Sequence, residues 1–138
     1  MEIEIRSLDE LPSVAKQFLD ATKGRNIFVF KAEMGAGKTT LILSILKELG
    51  IEKNEGSPTY SLVNTYMSPK HRQVYHFDLY RLKSEEEAFD IGIEEMIYGD
   101  SICFIEWPEK IIDLLPDNTI WSYIRKNEDD SRTLRIDL

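Results

Sequence analysis

With 138 residues, 42% of them hydrophobic and 30% charged, the chain is long enough for one domain around a buried core and has the composition of a soluble globular protein. A formal net charge of −8 argues against a chain that grips nucleic acid by itself, which calls for a basic face, although Lys70, His71 and Arg72 cluster locally. No apolar stretch approaches the ~18 residues that span a bilayer, and the acidic start "MEIEIRSLDE" lacks an apolar signal core, so no membrane association and a cytoplasmic location are expected.

In chain order, "IEIRS" alternates and predicts a short strand. Ser7 or Asp9 is placed to cap a helix over "LPSVAKQFLDATKG", where Leu11, Val14, Ala15, Phe18 and Leu19 form a helical stripe and Gly24 a stop. "NIFVFKA" is an almost uninterrupted apolar run, the pattern of a strand buried on both faces in a parallel sheet. "KTTLILSILKELG" carries a second stripe at Leu41, Ile45, Leu46 and Leu49 and ends at Gly50. "YSLVNTYM" and "QVYHFDLY" alternate around "SPKHR" and predict a hairpin. "SEEEAFDIGIEEMIYG" opens with Ser84 and has Glu87 three residues on, a capping-box pattern. "SICFIE" is another buried strand; it holds Cys103, which as the sole cysteine precludes an internal disulfide and reads as a small buried hydrophobe. "WPEKIIDLLP" predicts a short helix ended by Pro116, and "TIWSYIRK" with "RTLRIDL" a closing hairpin across "NEDDS". With no repeat, low-complexity tract or linker, residues 1–138 are expected to form a single domain.

Between the second strand and second helix lies "AEMGAGKTT". The pattern G-x-x-x-x-G-K-[ST] is met from its second to eighth position by Glu33 to Thr39, with Ala32 in the first. Glu33, Met34, Gly35, Ala36, Gly37, Lys38, Thr39 and Thr40 are therefore the candidate phosphate-binding residues. Gly35 and Gly37 permit positive φ and close backbone approach, and the loop amides and helix N-terminus then face an anion. Lys38 would reach the β- and γ-phosphates and Thr39 would place its hydroxyl on Mg²⁺. The dinucleotide fingerprint G-x-G-x-x-G fails, because position 40 is Thr.

Such a loop needs a second acidic group at a strand end to hold the metal's water shell. Asp78 ends "VYHF" and Glu106 ends "ICFI"; beyond the carboxyl ends of α/β strands, both can face the phosphates. "ICFIE" is the more apolar strand and is expected nearer the sheet centre. His76 falls mid-strand and reads as a packed core histidine, and His71 as a loop residue. Neither a Cys/His metal cluster nor a Ser-His-Asp arrangement follows from the spacings.

"GAGKTT", "SPTYSLVNTY", "YHFDLYRL" and "IEWPE", in that order and over nearly the whole chain, resemble the TsaE family, small bacterial ATPases of tRNA threonylcarbamoyladenosine biosynthesis. The resemblance implies a P-loop NTPase domain of α/β class, with a mixed parallel/antiparallel sheet flanked by helices. It implies ATP with Mg²⁺, metal positions at Thr39 and Glu106, and a catalytic Asp78 near the γ-phosphate. It implies that residues 57–59, "SPT", form a nucleotide-responsive loop and that Trp107 packs near the metal site. Its implied partners are the subunit that transfers the threonylcarbamoyl group to adenosine in tRNA and that subunit's scaffold paralogue, with tRNA met only indirectly. ATP turnover is expected to be weak alone and stimulated by partners, since Arg81 is the one arginine the sequence sets near these residues. Ala32 departs from the family's usual Gly. Two alternatives share the binding residues: a small-molecule kinase, disfavoured because no basic residue lies between Lys83 and Lys110 to build a lid, and a nucleotide-gated interaction module with negligible turnover.

Overall fold

Apolar alternation and apolar runs sort the strands into edge and centre. The computed structural model, which describes residues 1–58 and 61–138, arranges seven strands in one sheet of order β1-β7-β6-β2-β5-β4-β3. The strands are β1 (Glu2–Ile5), β2 (Ile27–Ala32), β3 (Val63–Met67), β4 (Gln73–Asp78), β5 (Ile102–Glu106), β6 (Ile120–Lys126) and β7 (Arg132–Asp137). The inner four, β6, β2, β5 and β4, run parallel, while β7, β1 and β3 join antiparallel at the edges. The sheet is thus mixed, as expected, and both expected hairpins form. Every residue of β5 is buried, as its unbroken apolar run requires.

One face is covered by α1 (Leu11–Ala21) and α2 (Lys38–Glu48). Val14, Ala15 and Phe18 of α1 and Leu41, Ile42, Ile45 and Leu46 of α2 are buried there against Phe28, Phe30 and Phe104. Phe18 meets Phe28 edge-on at 5.2 Å, and Phe28 stacks on Phe104 at 5.4 Å. The other face, built on Ile27, Val29, Phe77, Cys103 and Ile105, packs against Ala88, Ile93 and Ile97 of α3 (Glu85–Asp90) and α4 (Ile93–Tyr98). Among the described residues no helix is long and apolar enough to cross a membrane.

Two local expectations change, and the Ser84 cap holds at the start of a segment that splits. Neither Ser7 nor Asp9 caps α1: a 3₁₀ turn over Leu8–Glu10 leads into it, Glu10 holds the cap position, and its carboxylate accepts from the Arg6 amide at 2.7 Å. The capping-box segment becomes two short helices. Ser84 accepts from the Glu87 amide at 3.3 Å, but Gly92 at φ +79° turns the chain between α3 and α4. "WPEKIIDLLP" forms two 3₁₀ turns, Pro108–Lys110 and Ile112–Leu114, rather than an α-helix. Ile111 between them is fully buried and non-helical (φ −125°), so its packing breaks the run.

Candidate functional site

The glycine-rich loop leaves the carboxyl end of β2, the central strand, and enters α2 at Lys38. Gly35 and Gly37 hold φ +82° and +102°, and a Cβ on either would meet nothing within 4 Å. Backbone conformation, not crowding, therefore demands glycine, and the open space suits a ligand pressed against the loop. Ala32 is the last residue of β2 in extended backbone, so the departure from Gly costs no strain. Glu33, Met34 and Thr40 are exposed, Ala36 is buried, and Thr39 sits half-buried on the first turn of α2.

β4 and β5 deliver the acidic residues. Asp78 and Glu106 are register partners at the carboxyl ends of these adjacent parallel strands, and both belong to the sheet face covered by α2. Glu106 is 2% exposed and accepts from the Thr39 hydroxyl, 2.8 Å to Oε1 and 3.0 Å to Oε2. Asp78 lies half-buried; its Oδ2 accepts from the Ser57 hydroxyl at 2.9 Å and its Oδ1 from the Tyr80 amide at 3.1 Å. The expected loop "SPTY" therefore reaches the site through Ser57, while Thr59 and Tyr60 fall outside the described residues.

Lys38 folds back over the loop. Its Nζ donates to the Ala32 carbonyl at 3.2 Å and lies 3.5 Å from the centre of the Trp107 ring. Burial pushes its pKa down, against the pull of Glu106, Asp78 and Glu109, which favour its charged form. The Trp107 backbone is left-handed at φ +56°, and its ring lies 5.0 Å from that of Tyr80. Trp107 thus packs at the site, as the resemblance implied.

Three contacts escaped the sequence. His76, fully buried as expected, places Nε2 2.7 Å from Glu106 Oε2. Its position two residues before Asp78 on an alternating strand puts it on the same face, the only sequence clue to that bond. Arg132, at the start of β7, donates from Nε to the Ala36 carbonyl at 3.1 Å, so Arg81 is not alone among arginines near the loop. Ser57 gave no sign of its bond to Asp78. Beside the loop, a cavity of about 360 Å³ is lined by Leu8, Leu11, Gly35, Gly37, Ile124 and Arg132.

The oxygen donors of Thr39 and Glu106 suit a hard cation that keeps most of its waters. Mg²⁺ is bound by one or two carboxylates and its substrate's phosphates rather than by a protein cage. Among the described residues, no group of three or more His, Cys, Asp or Glu could hold a metal ion.

A central strand, a left-handed glycine turn, a helix opening on Lys and Thr, and a carboxylate on the neighbouring strand define an α/β fold of the P-loop NTPase type. The family model described as "Threonylcarbamoyl adenosine biosynthesis protein TsaE" matches residues 5–134. The chain belongs to the TsaE family. It is similar to the tRNA threonylcarbamoyladenosine biosynthesis protein TsaE of Rickettsia bellii, 38% identical over 133 residues covering 96% of this chain and 91% of the relative. The protein of the same name from Bacillus subtilis is 30% identical over 126 residues, covering 91% and 78%. That of Haemophilus influenzae is 43% identical over 104 residues, covering 75% and 65%. The crystal structure of Bacillus subtilis YdiB shares the fold with a TM-score of 0.72 at 24% identity, covering 97% of this chain and 82% of that one.

Proposed function

We propose that the chain is the ATP-binding and hydrolysing subunit that supports threonylcarbamoyl transfer to adenosine in tRNA. In this reading it works in the cytoplasm with a transferase and its scaffold paralogue. Family membership gives the coarse role, tRNA threonylcarbamoyladenosine biosynthesis. The observation that carries the finer reading is the Thr39–Glu106 hydrogen bond beneath a loop whose glycines leave its outer side open.

In this reading the amides of Gly35 to Thr39 and the N-terminus of α2 hold the phosphates. Lys38 leaves the Ala32 carbonyl and the Trp107 ring to meet them, and the phosphate charge favours the ammonium that burial disfavours. The cavity beside the loop takes the base and sugar. Thr39 and Glu106 would hold Mg²⁺ and its water shell, and the ion would supply neutralisation of phosphate charge. Asp78 orients the attacking water, and Ser57 ties the neighbouring loop to that carboxylate.

Turnover by the chain alone is slow. Arg132 is engaged with the Ala36 carbonyl, on the loop's own backbone. Charge on the transferred phosphoryl group needs cations beyond one lysine and Mg²⁺, and an arginine supplied by a partner raises such rates roughly a thousandfold or more. The binding site is tested by titrating a fluorescent ATP analogue into wild type and Lys38→Ala. Weakened binding in a folded variant is expected; equal affinities remove Lys38 from the site.

A further inference from the structure

Glu106 is a carboxylate at 2% exposure, and its oxygens have to be satisfied from within the protein. Among the described residues two side chains donate to it. One is Thr39; the other is His76, whose fully buried ring sets Nε2 2.7 Å from Oε2. Register explains the contact. His76 pairs with Phe104 and Asp78 with Glu106 across the parallel β4–β5 pair, so the ring reaches forward to the carboxylate at the next position on its own face.

Donation to a carboxylate puts the ring proton on Nε2. Nδ1 is buried with no hydrogen-bond partner among the described residues. Whatever the state of the ring, Nδ1 is a buried polar atom whose lack of a partner costs free energy. An aromatic hydrocarbon at this position, between Tyr75 and Phe77, would carry no orphan at all. Among the described residues, the bond to Glu106 is the hydrogen bond that offsets this cost.

Thr39 is also the residue that a metal would claim. A hydroxyl that ligates a metal through its oxygen keeps its proton, so Thr39 can still donate to Glu106, and His76 is the second donor, holding Oε2 from the neighbouring strand. We infer that His76 is a positioning residue for the metal site, clamping Oε2 so that Oε1 stays toward Thr39 and the mouth of the loop. The role rests on the metal site proposed above. It assigns His76 no contact with nucleotide or metal. Its effect is confined to how well Glu106 is aimed.

The test is ADP affinity by calorimetry, with Mg²⁺ and with a chelator, for wild type, His76→Phe, His76→Gln and Glu106→Ala. His76→Phe keeps the ring's bulk and removes the donor. It should leave metal-free affinity at the wild-type value and reduce the gain from Mg²⁺ by about tenfold or more, the usual cost of losing a partner of a metal ligand. His76→Gln places an amide N–H near the position of Nε2 and should restore the gain. An undiminished Mg²⁺ gain in His76→Phe overturns the role, and so does its loss in both His76 variants, which marks packing alone. If Glu106→Ala retains the Mg²⁺ gain, the metal site itself is misplaced. If Glu106→Ala loses it and His76→Phe does not, only the role of His76 fails. Long-range proton–nitrogen spectra of metal-free wild type give a readout that needs no variant to fold: Nε2 of His76 should carry a proton, and a ring protonated on Nδ1 alone overturns the clamp.

Discussion

Thr39 and Glu106 stand 67 positions apart in the chain, yet one hydroxyl bridges both oxygens of the buried carboxylate at 2.8 and 3.0 Å. The bond ties α2 to β5 at the mouth of the glycine-rich loop, where the proposed metal would be held. Thr39→Val keeps the shape and removes the donor. The nucleotide-free protein should lose about 1–3 kcal/mol, the penalty of a weakened hydrogen bond to a buried charged group. Urea unfolding measures the loss, and ADP titrations should show a reduced benefit from Mg²⁺. An unchanged urea midpoint would mean that the bridge contributes nothing to the fold.

Lys38 poses a conflict between stability and binding. Burial lowers its folded pKa below the ordinary 10.5, so the unfolded chain holds that proton more tightly. Stability of the nucleotide-free protein then rises with pH between the lowered folded value and 10.5. Lys38→Met, which lays a thioether over Trp107, should be more stable than wild type at neutral pH, with the difference shrinking as pH climbs through that window. The same variant should bind ATP about 10- to 100-fold more weakly, as loss of a charge-assisted contact implies. Thermal melts from pH 7 to 10 check the first statement and nucleotide titration the second.

Asp78 is held by Ser57 on one oxygen and the Tyr80 amide on the other, which aims it without burying it. Asp78→Asn should keep Mg²⁺-ATP binding and lower hydrolysis by roughly 10²- to 10⁴-fold, the span of a lost proton acceptor. If Asp78→Asn is instead the variant that loses the metal effect, the roles of Asp78 and Glu106 are exchanged.

Cys103 is fully buried in β5, its Sγ facing the Met96 carbonyl at 3.7 Å, and burial pushes its pKa up to about 12. A thiol-specific reagent at neutral pH should leave it unmodified in the folded protein and label it on unfolding, since the thiolate is the nucleophile. Rapid labelling of the native protein, followed by mass spectrometry, would show that β5 opens.

Features carried by contiguous residues were legible in the chain. "NIFVF", the glycine loop and "LILSIL" are one strand, one turn and one helix in a row, so the candidate phosphate site could be placed from Glu33 to Thr40. Glu106 was legible as the polar end of an apolar strand. Contacts that depend on register were not. The His76–Glu106 bond needs β4 beside β5, parallel and in step, and neither the order of strands nor their alignment is written in hydropathy. Arg132 reaches Ala36 only because β7 turns back antiparallel to β6, 96 positions downstream. The helix expected in "WPEKIIDLLP" failed because tertiary burial of Ile111 outweighed local periodicity.

The central claim, an ATPase that depends on partner proteins, is tested most directly by steady-state ATP hydrolysis in four mixtures: chain alone, with tRNA, with the transferase and its scaffold paralogue, and with both. The account predicts slow turnover alone, little change with tRNA in keeping with a net charge of −8, and stimulation of roughly a thousandfold if the partner supplies an arginine. A fast rate for the chain alone, unaltered by the partner pair, would contradict it and point to an independent enzyme such as a kinase.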